Sequence, residues 1–235
     1  MLPPEEVVRR LRESGSLWDV APGVTGLSGR VAALEREIEG ALADIARAET
    51  PNEWRAPAGV SFETLERAKY FSSFPQWLSM ASHLSGDDSI LQSIASSESP
   101  GRAAPSCAVA PAIALPPAVC YNTYAALADS KIDAPVLMTA QGTCWRHEGE
   151  RHAALERGWA FTMREIVCVG TAWDVKSLLD RGVERASALA YDGVVFIGER
   201  PNEVVGMRLA RGGDDLLFAR SRPSVSDVFA DGDAK

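Results

Sequence analysis

Nine residues, Cys144 to His152 (CWRHEGERH), hold one cysteine, two histidines, two glutamates and two arginines. A metal site is the first chemistry such a set suggests. A metalloprotease helix, however, needs its histidines four apart to share a face, and His147 and His152 are five apart with Gly149 between them. The flanking runs VLMTAQGTCWRHE and GWAFTMREIVCVG instead read as two antiparallel strands joined by the charged loop GERHAALER. On that hairpin Arg146 and Glu148 lie two apart on the outgoing strand, and Phe161 and Glu165 lie four apart on the returning one. Each pair can therefore share a face, and Arg157 stands where the loop turns back. A guanidinium holds phosphate or carboxylate oxygens through paired hydrogen bonds, and an aromatic ring offers a platform for a planar base. The same charges also suit a salt-bridged hairpin with no ligand, and residue types alone leave both readings open. His147 alternates with Arg146 and Glu148 and so points away from them. Trp145, Cys107, Cys144 and Cys168 read as core, and Glu150 and Arg151 as solvated loop charges.

The elements that must position these residues follow from periodicity. From Ser28 to Thr50 the apolar residues Val31, Leu34, Ile38, Leu42 and Ile45 step by 3, 4, 4 and 3, which predicts an amphipathic helix with Ser28 as N-cap. A second helical stretch starts at Ser61 and runs toward KYFSSFPQWL. Residues 84–106 contain seven serines with two glycines and two prolines, so a flexible surface loop is expected there. CAVAPAIALPPAVCY, APVLMTAQGTCW and GWAFTMREIVCVG have the length of buried strands and suggest a central sheet. Val175, Leu178, Leu179 and Val183 line one face of a later helix, with Thr171 and Asp174 placed as its N-cap and N3 partner. VVFIG reads as a further strand, and residues 221–235 as a disordered tail. The pattern is that of a single α/β (α+β) domain over residues 1–235.

Composition narrows the function classes. The formal net charge is −8 and no basic run is present, so nucleic acid is not the expected partner. The start, MLPPEEVVRRLRES, lacks the apolar core of a signal peptide, and no window approaches the ~18 uninterrupted apolar residues of a membrane helix. A cytoplasmic protein with no membrane association is expected. Cys107, Cys120, Cys144 and Cys168 are spaced by 13, 24 and 24 residues, which matches neither a CxxC zinc pattern nor a secreted disulfide framework.

Arg146 and Glu148, followed by RxxxF at Arg157 to Phe161 and then by Glu165, resemble motif 2 of the class II aminoacyl-tRNA synthetases. More narrowly, GVTGLSGR, LERAKYFSSFP, LPPAVCY, CWRHEG and FTMREIVCVGT, in this order, resemble the amino acid:[carrier protein] ligases. Those enzymes are similar to the catalytic core of the atypical archaeal seryl-tRNA synthetases without the tRNA-binding domain. The similarity runs over roughly residues 15 to 210.

That resemblance implies an antiparallel class II sheet flanked by helices and a set of roles. Arg146 would bind the ATP α-phosphate, Glu148 the nucleotide end of the site and Arg157 the γ-phosphate, with Phe161 stacked on adenine and Mg2+ accompanying the nucleotide. Cys120 and Glu165 would supply two ligands to a Zn2+ that captures the amino group of the amino acid. Partners would be an amino acid or aminoacyl substrate and a carrier protein. Homodimerisation would run through LERAKYFSSFPQWL. After Val194 the sequence shows no GxGxER-like motif 3 and no further cysteine, so a C-terminally truncated relative is expected. Three functions fit: an ATP-dependent ligase, a zinc enzyme that processes amino acids without ATP, and a binding or regulatory relative without catalysis.

Overall fold

The computed structural model describes residues 4–50, 52–188, 190–191, 194–197, 206–211 and 214–219. Its framework is a three-stranded sheet. β3 (Glu53–Arg55) lies parallel to β6 (Val136–Trp145), and β6 pairs antiparallel with β7 (Ala160–Val169) along its full length. Val136 faces Val169, Ala140 faces Glu165 and Cys144 faces Phe161. The expected hairpin is therefore present.

Helices cover both faces. Ahead of the sheet come α1 (Pro4–Glu13), the hairpin β1 (Leu17–Ala21) and β2 (Val24–Leu27), and then α2 (Gly29–Glu49). The predicted helix is thus confirmed, but Ser28 does not cap it through its side chain; its hydroxyl donates instead to the carbonyl of Gly15. On the face toward α2, Arg164 of β7 ties the layers together. Its guanidinium donates to Glu39 of α2 at 2.7 Å, to Glu53 of β3 at 3.1 Å and to the Thr139 hydroxyl of β6 at 3.2 Å. α8 (Ala172–Ala188) packs beside α2, where Glu49 accepts from Arg181 at 2.9 Å and from Arg185 at 2.8 Å. Thr171 and Asp174 cap α8 reciprocally: each backbone N–H donates to the other's side chain.

The opposite face carries the core. α3 (Phe62–Arg67), capped by Ser61 on the amide of Thr64, is followed by α4 (Tyr70–Ser73). These helices and α7 (Cys120–Leu127) pack on Met138 and Val167 to form a cluster that includes Leu65, Tyr70, Cys120 and Tyr121. A smaller cluster, Val119, Ala140 and Cys144, adjoins it under Phe161 and Met163.

Three expectations need correction. Residues 84–106, expected as a loop, contain α5 (Asp88–Ala95) and α6 (Pro100–Ala103). Asp87 accepts the amides of Ser89 and Ile90 at the start of α5, and Ile94 of that helix is buried. The run CAVAPAIALPPAVCY, expected as a strand, contains only the two-residue β5 (Ile113–Ala114), paired with β4 (Met80–Ala81), and Cys120 opens a helix. Short apolar runs do not distinguish strand from helix by periodicity. Finally, the single central sheet is divided. Beyond α8 a separate sheet joins β8 (Ala190–Tyr191), β9 (Val194–Ile197), β10 (Gly206–Arg211) and β11 (Asp214–Ala219). The VVFIG strand is β9. Residues 221–235, expected as a disordered tail, lie outside the described residues. Among the described residues no helix is long and apolar enough to cross a membrane.

Candidate functional site

The hairpin face that carries Ala140, Cys144, Phe161 and Glu165 is where Arg146 meets Phe161 and Cys120 meets Glu165. β6 ends at Trp145, so Arg146 and Glu148 stand just past the strand and not on it. The ladder continues one step, because the amide of Arg146 donates to the carbonyl of Trp159 at 2.8 Å. Gly149, at φ 62°, then turns the chain into the loop. Arg146 is held on two sides. Its Nε donates to the carbonyl of Pro117 at 2.9 Å, and its guanidinium carbon lies 5.2 Å from the centre of the Phe161 ring. A cation over a ring is attracted by the ring's quadrupole, so Phe161 fixes the arginine as well as offering a flat surface. Glu148 and Arg157 form an ion pair at 3.7 Å across the loop.

Glu165 and Cys120, 45 residues apart, are in contact. Cys120 is the first residue of α7, and its backbone N–H donates to the Glu165 carboxylate. A carboxylate at a helix N-terminus is favoured by the free amides and the helix dipole. The Thr139 hydroxyl donates to the Glu165 carbonyl at 2.8 Å and so anchors its backbone. Part of Glu165 remains open to solvent, but its carboxyl reaches into the packing against α7. That desolvation raises its pKa, against the lowering effect of the Cys120 amide and of Arg146. Burial likewise pushes the Cys120 thiol far up, and the neighbouring Glu165 adds to the shift. Cys144, fully buried nearby, is pushed up to about 12 for the same first reason.

A thiol and a carboxyl that both resist ionisation while touching form a donor pair suited to a divalent cation, whose charge would draw off both protons. Thiolate and carboxylate are both zinc ligands, and a catalytic zinc takes three protein ligands. The donor chemistry of Cys120 and Glu165 fits two of the three. Among the described residues no third histidine, cysteine, aspartate or glutamate completes a metal cluster.

The histidines are placed elsewhere. His147 packs its ring on Trp159 at 4.5 Å and His152 meets the same indole at 5.6 Å. Trp159 in turn donates to the carbonyl of Gly149, so the trio stiffens the loop. Trp145, Cys107 and Cys168, expected in the core, are only half-buried. A cavity of about 700 Å³ lies on the outer side of the loop, between α1, the β1–β2 hairpin and residues 152–158. None of the six predicted residues lines it. Two residues that support the hairpin from outside the site have no signal in local spacing. Arg164 precedes Glu165 and orients the strand, a role that only the cross-layer contacts reveal. Tyr70 lies in the buried cluster with Cys120, and nothing in its spacing marks it.

The chain resembles known proteins in sequence and in fold. The chain is 32% identical over 187 residues to amino acid–[acyl-carrier-protein] ligase 2 of Bradyrhizobium diazoefficiens, covering 77% of this chain and 55% of the relative. It is 31% identical over 180 residues to ligase 1 of the same organism, covering 74% and 54%. The chain is thus similar in sequence to the amino acid–[acyl-carrier-protein] ligases. It spans just over half the length of these two relatives. No protein-family model matches it.

Solved structures show that this chain has the fold of class II aminoacyl-tRNA synthetases. The M. kandleri seryl-tRNA synthetase, solved with A. aeolicus tRNASec, aligns with a TM-score of 0.70 at 18% identity over 87% of this chain and 40% of its own. Giardia lamblia prolyl-tRNA synthetase, in complex with prolyl-adenylate, gives 0.61 at 14% identity over 89% and 42%. The cytoplasmic serine-tRNA ligase of Naegleria fowleri, in complex with AMP, gives 0.60 at 13% over 91% and 50%.

Proposed function

We propose that this chain carries a class II site that activates an amino acid with ATP and passes the aminoacyl group to a carrier protein. The observation that supports it most is the convergence of Arg146 over Phe161 and of Glu165 against Cys120 on one face of the β6–β7 hairpin. In the activation step a carboxylate oxygen of the amino acid attacks the α-phosphorus of ATP. The bond from that phosphorus to the bridging oxygen breaks and pyrophosphate leaves. Arg146, anchored by Pro117, is placed to bind the α-phosphate and balance the charge that develops there. Phe161 would support the adenine, Glu148 the nucleotide end, and Arg157 the γ-phosphate with Mg2+. In the transfer step a nucleophile on the carrier attacks the aminoacyl carbonyl, gives up its proton, and AMP leaves.

Cys120 and Glu165 would hold Zn2+ as two of its ligands. When bound, the metal supplies a Lewis-acid position for the amino group of the amino acid. The protein would act as a cytoplasmic homodimer, with no nucleic-acid partner. A second reading is that the amino-acid end works without ATP. Amino-acid-dependent exchange of pyrophosphate into ATP separates the two. Exchange supports activation; zinc and amino-acid binding without exchange supports the second reading.

A further inference from the structure

The arginines at the nucleotide end stand on a loop that is fastened from outside the β6–β7 hairpin. Gly23, at the tip of β1–β2, accepts the amide of Trp159 on its carbonyl at 2.6 Å and that of Ala160 at 3.4 Å. Trp159 passes the constraint on. Its carbonyl accepts the amide of Arg146 at 2.8 Å, its indole N–H donates to the carbonyl of Gly149 at 3.2 Å, and the rings of His147 and His152 pack on it. One residue therefore holds both arms of the loop that carries Arg146, Glu148 and Arg157.

The fit at Gly23 leaves no room for a side chain. Its φ is 66°, and a Cβ placed there would lie 2.5 Å from two atoms of the Trp159 indole. Glycine is required both by the backbone and by the close approach. Gly15 has a similar φ of 68°, but a Cβ there would meet nothing within 4 Å. The β1–β2 hairpin is itself rooted, since Leu17 is buried and Asp19 pairs with Arg12 of α1 at 2.8 Å. Elsewhere the loop has less to rest on, because the cavity of about 700 Å³ separates residues 152–158 from α1. Within the loop, Ala153 and Arg157 exchange backbone hydrogen bonds at 3.0 and 2.8 Å, so the turn keeps its own shape and takes its place from the Trp159 that follows.

We propose that Gly23 and Trp159 are positioning residues of the nucleotide end: the hairpin tip, closed on the indole, sets where Arg146 and Arg157 stand before ATP arrives. This rests on the ATP-binding roles proposed above for those arginines. Ordering a loop on binding subtracts from affinity, and a loop already clamped avoids that loss. Displacing a positioned group by about 1 Å can cost about 100-fold in rate, and a methyl group on Gly23 would force a shift of that kind on the indole.

Calorimetric titration of Mg-ATP into full-length variants, with thermal unfolding alongside, tests the clamp. Gly23→Ala and Gly15→Ala carry the same left-handed strain, but only the first pushes on Trp159. The expected result is a similar fall in unfolding midpoint for both, with Mg-ATP bound about tenfold more weakly by Gly23→Ala and as in wild type by Gly15→Ala. Trp159→Ala should weaken Mg-ATP to a similar degree, and it carries the test if Gly23→Ala does not fold. Gly23→Ala combined with Trp159→Ala should bind no more weakly than Trp159→Ala alone, since the added methyl then has no indole to displace. Equal weakening in Gly15→Ala, or additive losses in the double variant, overturns the assignment. A wild type that binds no Mg-ATP removes the ATP-binding reading and the positioning roles with it. A wild type that binds Mg-ATP and is matched by folded Gly23→Ala or Trp159→Ala removes the positioning roles alone.

Discussion

The amide of Cys120 donates to the carboxylate of Glu165, joining the first turn of α7 to the middle of β7 across 45 residues of sequence. This contact places a thiol and a carboxyl side by side in the core and sets the terms for any metal between them. Cys120→Ala removes the thiol but keeps the amide donor, so the domain should fold with little loss of stability. Glu165→Ala also orphans that amide, and should cost about 1–3 kcal/mol more. Both variants should lose bound zinc by elemental analysis; zinc contents equal to wild type would remove the metal assignment.

Arg146→Ala should act at the other end of the site. It deletes a guanidinium fixed by Pro117 and Phe161 and leaves Cys120 and Glu165 untouched. Zinc content should match wild type while Mg-ATP binds at least tenfold more weakly, about 1.4 kcal/mol. Arg146→Lys should rescue little, because lysine cannot reproduce the planar fork that grips a phosphate. Calorimetry on the three proteins checks both statements.

The pH dependence has a defined sign. The pKa of Glu165 is raised in the folded, metal-free protein from an ordinary value of 4.5, first by desolvation. The native state therefore holds this proton more tightly than the unfolded chain does. The stabilisation it brings is fully present below the unfolded pKa and is lost as pH rises through the folded one. Metal-free wild type should lose stability relative to Glu165→Gln as pH rises from 4.5, measured by denaturant unfolding. Zinc should reverse the trend, since binding expels the protons of Glu165 and Cys120 and strengthens with pH.

Arg164 offers a structural test. Its side chain is 8% exposed and is shared between Glu39 and Glu53, which fasten α2 and β3 to β7. Arg164→Ala leaves those carboxylates without their cation and should destabilise the domain by about 3 kcal/mol. Arg164→Met, which fills the same space, should cost less. Urea unfolding of the two variants distinguishes lost packing from lost pairing.

How much of this was legible in the sequence varied with the physical signal. α2 and α8 declare themselves through a long 3.6-residue period, and the reciprocal caps of Thr171 and Asp174 are visible as residue types three apart. The hairpin follows from two apolar runs of strand length, and its register brings Phe161 and Glu165 to one face. Cys120 was misassigned to a strand because PPAVCY is too short to show a period. Residues 84–106 were misread because serine content outweighed Ile90 and Ile94, four apart, on a helix capped by Asp87. The pairing of Cys120 with Glu165 left no local trace; only ordered resemblance to a family brought the two together. Tyr70 was invisible for a different reason, since burial beside Cys120 is a property of the folded core.

The central claim is that one face of the hairpin unites a metal end and a nucleotide end in a single amino-acid-activating site. The most direct measurement is a zinc-edge anomalous diffraction map from crystals soaked with a non-hydrolysable aminoacyl-adenylate analogue. The account predicts one anomalous peak bonded to Cys120 Sγ and the Glu165 carboxylate, the analogue's phosphate mimic on Arg146 and its adenine against Phe161. A zinc peak away from Cys120, or an analogue bound away from Arg146 and Phe161, would contradict it.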